Sequence, residues 1–397
     1  MTNDVSRGIA TYVPPTGPSW ADPWPMYAAL REHDPVHHVA RGDYWVLTRH
    51  DDVYMAVREH ETFSSVGGLT TAHDELDRIG LADNPPMVMT DPPAHTDFRK
   101  LVNRGFTPKQ VEDVTPRVTR FVIERIEAIR AAGGGDIVEE LFKPLPSMVV
   151  AHYLGVPEED WGRFDVWTDA IVAANAAQDE SIGAGAAAEL MGYFAELIDR
   201  RRREPGDDTV SHLVAAGEAD DDAGLLRVLA FAFTMVAGGN DTTTGLLGGG
   251  LPLLAERPDQ CGLARQDVPA AIEELLRLTS PVQGLARTTT RDVTLHGVTI
   301  PAGDKVLLCY AAANRDPRAF GDDAEELDVT RNPRQILTFA HGAHHCLGAA
   351  AARMMGRVTL TEILTRMPSF TVEHGSLAWA PGSYVRRPVS LHVEVTR

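Results

Sequence analysis

The chain has 397 residues, 44% hydrophobic and 23% charged, with a formal charge of −19 at pH 7. That is enough apolar material for a large core, and its acidity excludes a nucleic-acid partner, which needs a basic surface. Three scattered cysteines, Cys261, Cys309 and Cys346, exclude a disulfide framework and point to a reducing, cytoplasmic compartment.

At ~150 residues per domain, length alone suggests two or three domains. The opening residues have no charged-then-apolar leader pattern. The Pro-rich segment 1–25 is expected to be extended. Residues 44–50, YWVLTRH, alternate apolar and polar and predict a strand. The stretch 51–65 predicts a short helix capped by Asp51. Residues 64–89 have weak periodicity and predict a long loop, the kind of segment that carries function.

From Asp91 onward helical spacing dominates. Helices are expected over 93–106, 111–135, 158–175, 184–206 and 268–280, the second closing on glycines and the fourth on Glu-Pro-Gly. Residues 223–258 form a very long helical candidate, apolar nearly all round and therefore expected to be buried. Its longest apolar run, near Val228 to Gly239, is too short for a membrane span of ~20 residues. Residues 291–316 change to β-branched alternation with glycine turns, a small β region, and 383–397 is again strand-like. No internal repeat or linker is evident.

The stretch FAHGAHHCLGAAAARMM, Phe339 to Met355, concentrates three histidines and a cysteine. Leu347, Ala350, Ala351, Met354 and Val358 make a helical stripe, so Cys346 lies just before a helix or in its first turn. Free N–H groups and the dipole there favour a thiolate. Gly342 and Gly348 allow close backbone approach. Such a thiolate suits a large flat cofactor as its axial ligand. Two other readings stand beside it: an inert buried cysteine near surface histidines, or zinc on His341, His344, His345 and Cys346, although zinc ligands usually come as two separated pairs.

Within the long helix, GGNDTT (Gly238 to Thr243) combines two glycines, an acid and alcohols. The glycines leave room for a small ligand, and Thr242 can bond back to the Gly238 carbonyl. Asp241 offers a carboxylate for proton transfer; a capping or kink role is the alternative. Glu274 and Arg277 stand at i, i+3 and can pair. His95 and Arg99 stand one turn apart on one helix face.

Together these motifs resemble the cytochrome P-450 family. The pattern Phe339-x-x-Gly342-x-His344-x-Cys346-x-Gly348 is similar to its haem loop. GGNDTT resembles its oxygen groove, Glu274-x-x-Arg277 with Arg331 its conserved-fold triad, and His95-x-x-x-Arg99 its propionate pair. The resemblance runs from about residue 22 to the end and is nearest to soluble bacterial members of actinobacterial, mycobacterial type. One departure is Ala340, where the family commonly has glycine.

The resemblance implies a mainly α fold with a small β region, in one large domain over 1–397 with a long central helix over the haem. It implies haem b with Cys346 as axial thiolate, flanked by Phe339 and Gly348. The propionates fall to His95, Arg99, Arg287 and His344. Asp241 and Thr242 deliver protons, while Glu274, Arg277 and Arg331 support the fold. Met87, Val88, Thr234, Ala237, Gly238, Leu285 and Tyr384 would line a substrate pocket. His341 and His345 receive no role.

The implied activity is a haem-thiolate monooxygenase that hydroxylates or dealkylates a lipophilic small molecule with O2. With no flavin or ferredoxin segment evident, electrons are expected from a separate ferredoxin or flavodoxin and its NAD(P)H-dependent reductase. Docking is expected near Lys100, Arg104, Arg353 and Arg357. A peroxygenase and a non-catalytic haem sensor or carrier are the alternatives; neither needs the Asp241–Thr242 pair.

Overall fold

The computed structural model describes residues 11–78, 80–164, 166–167, 170 and 180–395. Its longer helices are α1 (Trp24–His33), α2 (His50–Ala56), α3 (Ala94–Val102), α4 (Pro108–Ala132), α5 (Pro144–Leu154), α6 (Glu180–Arg203), α7 (Asp222–Ala255), α8 (Val268–Thr279) and α9 (Ala349–Arg366).

The centre of the molecule is α7, 34 residues long. The Asp221 carboxylate caps its start by accepting from the Gly224 N–H. It packs against α5, α6, α8 and α9, and from Thr243 to Pro252 every residue is buried. By length and composition it could cross a membrane. That corrects the expectation that no stretch is long enough. Here the helix is spent on internal packing, as its lack of a polar face requires.

Helix α4 shows how the apolar period is used. Val114, Val118, Val122, Ile126 and Ile129 recur at three- and four-residue spacing and are all at most 1% exposed. They meet Met354, Met355 and Ile363 of α9 in one core cluster. Burying each such side chain contributes roughly 1.5–3 kcal/mol. Thr107 caps the helix with Gln110 in a reciprocal box, and Gly133 ends it at φ 81°.

The β structure is small. A five-stranded sheet runs in the order β1 (Val36–Val39), β2 (Tyr44–Leu47), β8 (Lys305–Leu308), β5 (Leu285–Thr289), β3 (Phe63–Ser64). Only β2–β8 is parallel, and Arg287 of β5 stands opposite Val306 of β8. β4 (Gly134–Asp136) and β9 (Phe370–Val372) flank β12 (His392–Val395). β6 (Val293–Leu295) pairs with β7 (Val298–Ile300), and β10 (Ala378–Trp379) with β11 (Pro388–Ser390).

Several local expectations change. The segment before residue 25 is not extended throughout: Gly17–Ala21 forms a 3-10 turn and α1 begins at Trp24. α2 starts at His50, not after an Asp51 cap, and ends at Ala56, where turns take over. The long loop 64–89 contains a helical turn at Glu75–Arg78 and a 3-10 turn at Met87–Met89. α5 has no clear helical stripe, being buried on nearly every side. The helix expected over 158–175 opens on a 3-10 turn at Glu158–Asp160 and is helical at 161–164, 166–167 and 170; its other positions lie outside the described residues.

Candidate functional site

The cysteine loop is closed by its own backbone: the Cys346 N–H donates to the Phe339 carbonyl at 2.8 Å. Gly342 has φ 72°, and a side chain there would stand 3.2 Å from Arg58 Cα. The left-handed φ favours glycine, and the near approach of Arg58 adds to that preference. Ala340 has φ 50°, so alanine occupies a left-handed position that glycine would fill without strain.

Cys346 lies two residues before Gly348, which precedes the first turn of α9. Its side chain is accessible, although it lies deep enough that burial pushes the thiol pKa up. The Gly348 and Ala349 N–H groups and the charges of Arg99 and Arg353 pull the other way and lose to burial. The helix-end N–H groups act in the direction expected of them, toward the thiolate, and burial of the metal-free thiol acts against them.

The loop's histidines diverge. His341 bonds the Ile336 carbonyl at 3.0 Å and packs edge-on to Tyr54. His345 is exposed. His344 turns toward α3, its ring centre 4.1 Å from that of His95, with Nε2 3.2 Å from the Ser65 hydroxyl. Among the described residues no cluster of three His, Cys, Asp or Glu side chains could hold a metal ion. The zinc reading falls because the four side chains do not converge.

His95 is 1% exposed, and neither ring nitrogen finds a partner among the described residues. Burial and the Arg99 charge push its pKa down to about 4. Burial, Arg287 and His95 push that of His344 down to about 3. Arg287, 3% exposed, donates Nη1–H to the Ala286 carbonyl. Asp91 is the negative charge that acts on His95, and it is itself bonded to Ser64 and Ser65, so the ring nitrogens of His95 stay without a partner among the described residues. A group carrying two carboxylates and lying against Cys346 fits this set of donors. Arg99 itself donates to the Ala343 carbonyl at 3.1 Å and to the His345 carbonyl. It pins the cysteine loop to α3.

On α7, Thr242 Oγ1 donates to the Gly238 carbonyl at 3.1 Å. A side chain at Gly238 would meet nothing within 4 Å. Gly238 is exposed and Thr234, Ala237, Asp241 and Thr242 are half-buried, while Phe231, Ala232, Val236, Asn240 and Thr243 between them are buried. The spacing of Gly238 and the four half-buried positions marks one open face. Leu347, beside Cys346, packs into the cluster containing Phe231 and Val236 of α7, so the loop and the helix approach each other. The Asp241 carboxylate is engaged by Arg387 Nε at 2.9 Å. No sequence signal marked Arg387, which is remote along the chain.

The other candidates are placed as follows. Met87 and Val88 stand half-buried on the 3-10 turn, and Leu285 half-buried at the start of β5. The Thr234 hydroxyl is spent on the Ala230 carbonyl at 2.7 Å. Tyr384 packs with the Tyr12–Tyr27 cluster, and its hydroxyl accepts from the Thr71 N–H at 3.0 Å. It latches the long loop instead of standing free in a pocket.

Glu274, Arg277 and Arg331 meet. Arg277, wholly buried, holds Glu274 with bonds of 2.8 and 2.7 Å, and Arg331 Nε reaches the same carboxylate at 3.2 Å. Arg277 also donates to the carbonyls of Asn314 and Ala324, tying α8 to the segment before the cysteine loop. Phe339 lies under the Arg353 guanidinium at 4.5 Å, and Arg353 is neutralised by Glu273. Arg353 is thus already paired within the chain, as Lys100 is with Asp97.

Comparisons with known proteins agree with this geometry. Residues 265–376 match the family model described as Cytochrome P450. The chain is 65% identical over 392 residues to Cytochrome P450 130 of Mycobacterium tuberculosis (strain ATCC 25618 / H37Rv), covering 96% of this chain and 97% of that protein. It is 36% identical over 367 residues to Vitamin D(3) 25-hydroxylase of Pseudonocardia autotrophica, covering 91% and 90%. The solved structure of Cytochrome P450 CYP109Q5 from Chondromyces apiculatus superposes with a TM-score of 0.84 at 31% identity, covering 95% of this chain and 96% of that one.

Proposed function

The chain belongs to the cytochrome P450 family of haem-thiolate monooxygenases, and from that premise we propose that it oxidises a lipophilic small molecule, with haem b held by Cys346. The observation that carries this reading is the accessible Cys346 sulfur together with the partnerless ring nitrogens of buried His95, packed near His344 and acted on by Arg287. Cys346 would hold the haem iron through its sulfur, with Phe339 and Gly348 of the same loop beside it. His95, His344 and Arg287 would bind the propionates, with Arg99 holding the loop from the other side. When bound, the haem supplies dioxygen activation and the oxidising power, with an anionic sulfur favouring O–O cleavage.

The protein's own residues then orient and move protons. Thr242, anchored on the Gly238 carbonyl, presents its oxygen to the open face of α7. Asp241 passes protons inward toward that hydroxyl. Gly238 keeps the face clear. Met87, Val88, Ala237 and Leu285, all half-buried, form the apolar side of the substrate pocket. A relative that hydroxylates vitamin D(3) supports a lipophilic substrate. The reaction is hydroxylation or dealkylation within one domain.

Electrons come from a separate ferredoxin or flavodoxin with an NAD(P)H-dependent reductase, all in the cytoplasm. Exposed Arg104 and Arg357, with Lys100 beside Asp97, form the docking cations.

The test is spectroscopic. The reduced, CO-bound holoenzyme should show the far-shifted Soret band of thiolate ligation. Cys346→Ala and Cys346→His should abolish it; a band that survives either change sinks the ligand assignment. Thr242→Ala should divert consumed dioxygen to hydrogen peroxide, and unchanged partitioning would remove Thr242 from proton delivery.

A further inference from the structure

We propose that Arg387 is a positioning residue for Asp241, delivered by a C-terminal strand that seats on a glycine stripe of α7. The argument rests on the relay role proposed for Asp241. Arg387 Nε lies 2.9 Å from Asp241 Oδ1, and both side chains are shielded, 14% and 18% exposed. A shielded, charge-assisted contact is worth more than an open surface pair.

The glycines explain how the strand comes so near. Gly245 and Gly248 follow Asp241 at i+4 and i+7, on one face of α7. A side chain at Gly245 would stand 2.7 Å from the Arg386 carbonyl oxygen. One at Gly248 would stand 2.3 Å from Pro388 Cγ. The residues before and after Arg387 therefore lie directly on the helix, where only glycine admits them.

The strand is also held without the ion pair. The Arg386 N–H donates to the Pro281 carbonyl at 2.8 Å, and Arg386 Nε to the Trp20 carbonyl at 2.7 Å. The Arg387 carbonyl accepts from the Ala380 N–H at 3.0 Å. With the backbone fixed on both sides, the guanidinium position is set by the fold. It holds the Asp241 carboxylate in one orientation on the face that Thr242 shares. Proton delivery then depends on a residue that touches neither dioxygen nor substrate.

The experiment uses holoenzyme, NADPH, a surrogate ferredoxin with its reductase, and dioxygen as the only oxidant, without added organic substrate. Asp241→Asn, Arg387→Gln, Arg387→Lys and the Asp241→Asn/Arg387→Gln double variant are compared. Arg387→Gln should slow dioxygen consumption roughly tenfold, short of the ~10²-fold that a 1 Å misplacement can cost. The slowing in D2O should grow with it. Arg387→Lys should recover most of the rate, and the double variant should be no slower than Asp241→Asn.

A readout independent of turnover is the urea midpoint of the four proteins. The two single changes should be non-additive, as for groups in contact. If Asp241→Asn slows the reaction while Arg387→Gln alters neither rate nor isotope effect, this inference falls and the relay stands. If Asp241→Asn changes nothing, the relay reading falls and takes this inference with it. Additive midpoints, or a double variant slower by the product of the two effects, would also overturn the positioning role.

Discussion

His95 is neutral in the folded chain because burial and the Arg99 charge disfavour its protonated form, holding its pKa near 4 against an ordinary value of 6.5. The unfolded chain therefore binds more protons between those values, and stability falls as pH drops from about 6.5 toward 4. We expect the urea midpoint of the haem-free protein to fall across that window and His95→Gln to flatten the fall; an equally steep profile in the variant would contradict the assignment. Ala340 gives a second residue-scale prediction. Its positive φ costs roughly 1–2 kcal/mol, and glycine returns about half of that in chain entropy. Ala340→Gly should raise stability slightly, by up to ~1 kcal/mol, read as a small rise in the thermal midpoint. The departure at Ala340 was legible in the sequence, but its backbone angle was not.

Helix α7 carries two kinds of glycine, and the same substitution should act oppositely on them. Gly238 faces open space, so Gly238→Ala should stabilise the haem-free chain by about 0.8–1 kcal/mol through helix propensity. It would also narrow the face on which dioxygen must fit, and turnover should drop. Gly248 abuts Pro388, so Gly248→Ala should destabilise by about 1–3 kcal/mol through overpacking. Equal shifts of the two urea midpoints would refute this division. Sequence spacing placed the Thr242–Gly238 bond correctly because it spans one turn of one helix. The GLLGGG stretch reads only as apolar helix, since the strand that needs its glycines lies far downstream. Helix α8 makes the same point: the i, i+3 pair Glu274–Arg277 was legible, whereas its complete burial was not. Glu274→Gln should cost several kcal/mol by leaving a buried guanidinium under-compensated, and a stable, haem-loaded variant would contradict that.

For the whole molecule, the net charge of −19 does not exclude exposed cations. Arg104 and Arg357 are exposed, while Arg353 is paired with Glu273. Arg104→Glu with Arg357→Glu should slow ferredoxin-supported reduction at low salt, with the loss fading as ionic strength rises. Arg353→Glu should act instead through stability, because it sets like charge against Glu273 and removes the contact with Phe339. Stopped-flow reduction at two salt concentrations separates these outcomes. The sequence by itself determined the helical class, the cysteine loop, the acid–alcohol pair and the family, since each rests on spacing within a few turns of chain. Tertiary structure alone decided that Arg99 pins the cysteine loop, that Tyr384 latches the long loop, and that Arg387 holds Asp241. These contacts join segments remote in sequence, and local spacing carries no record of which remote groups the packing of α7 brings together.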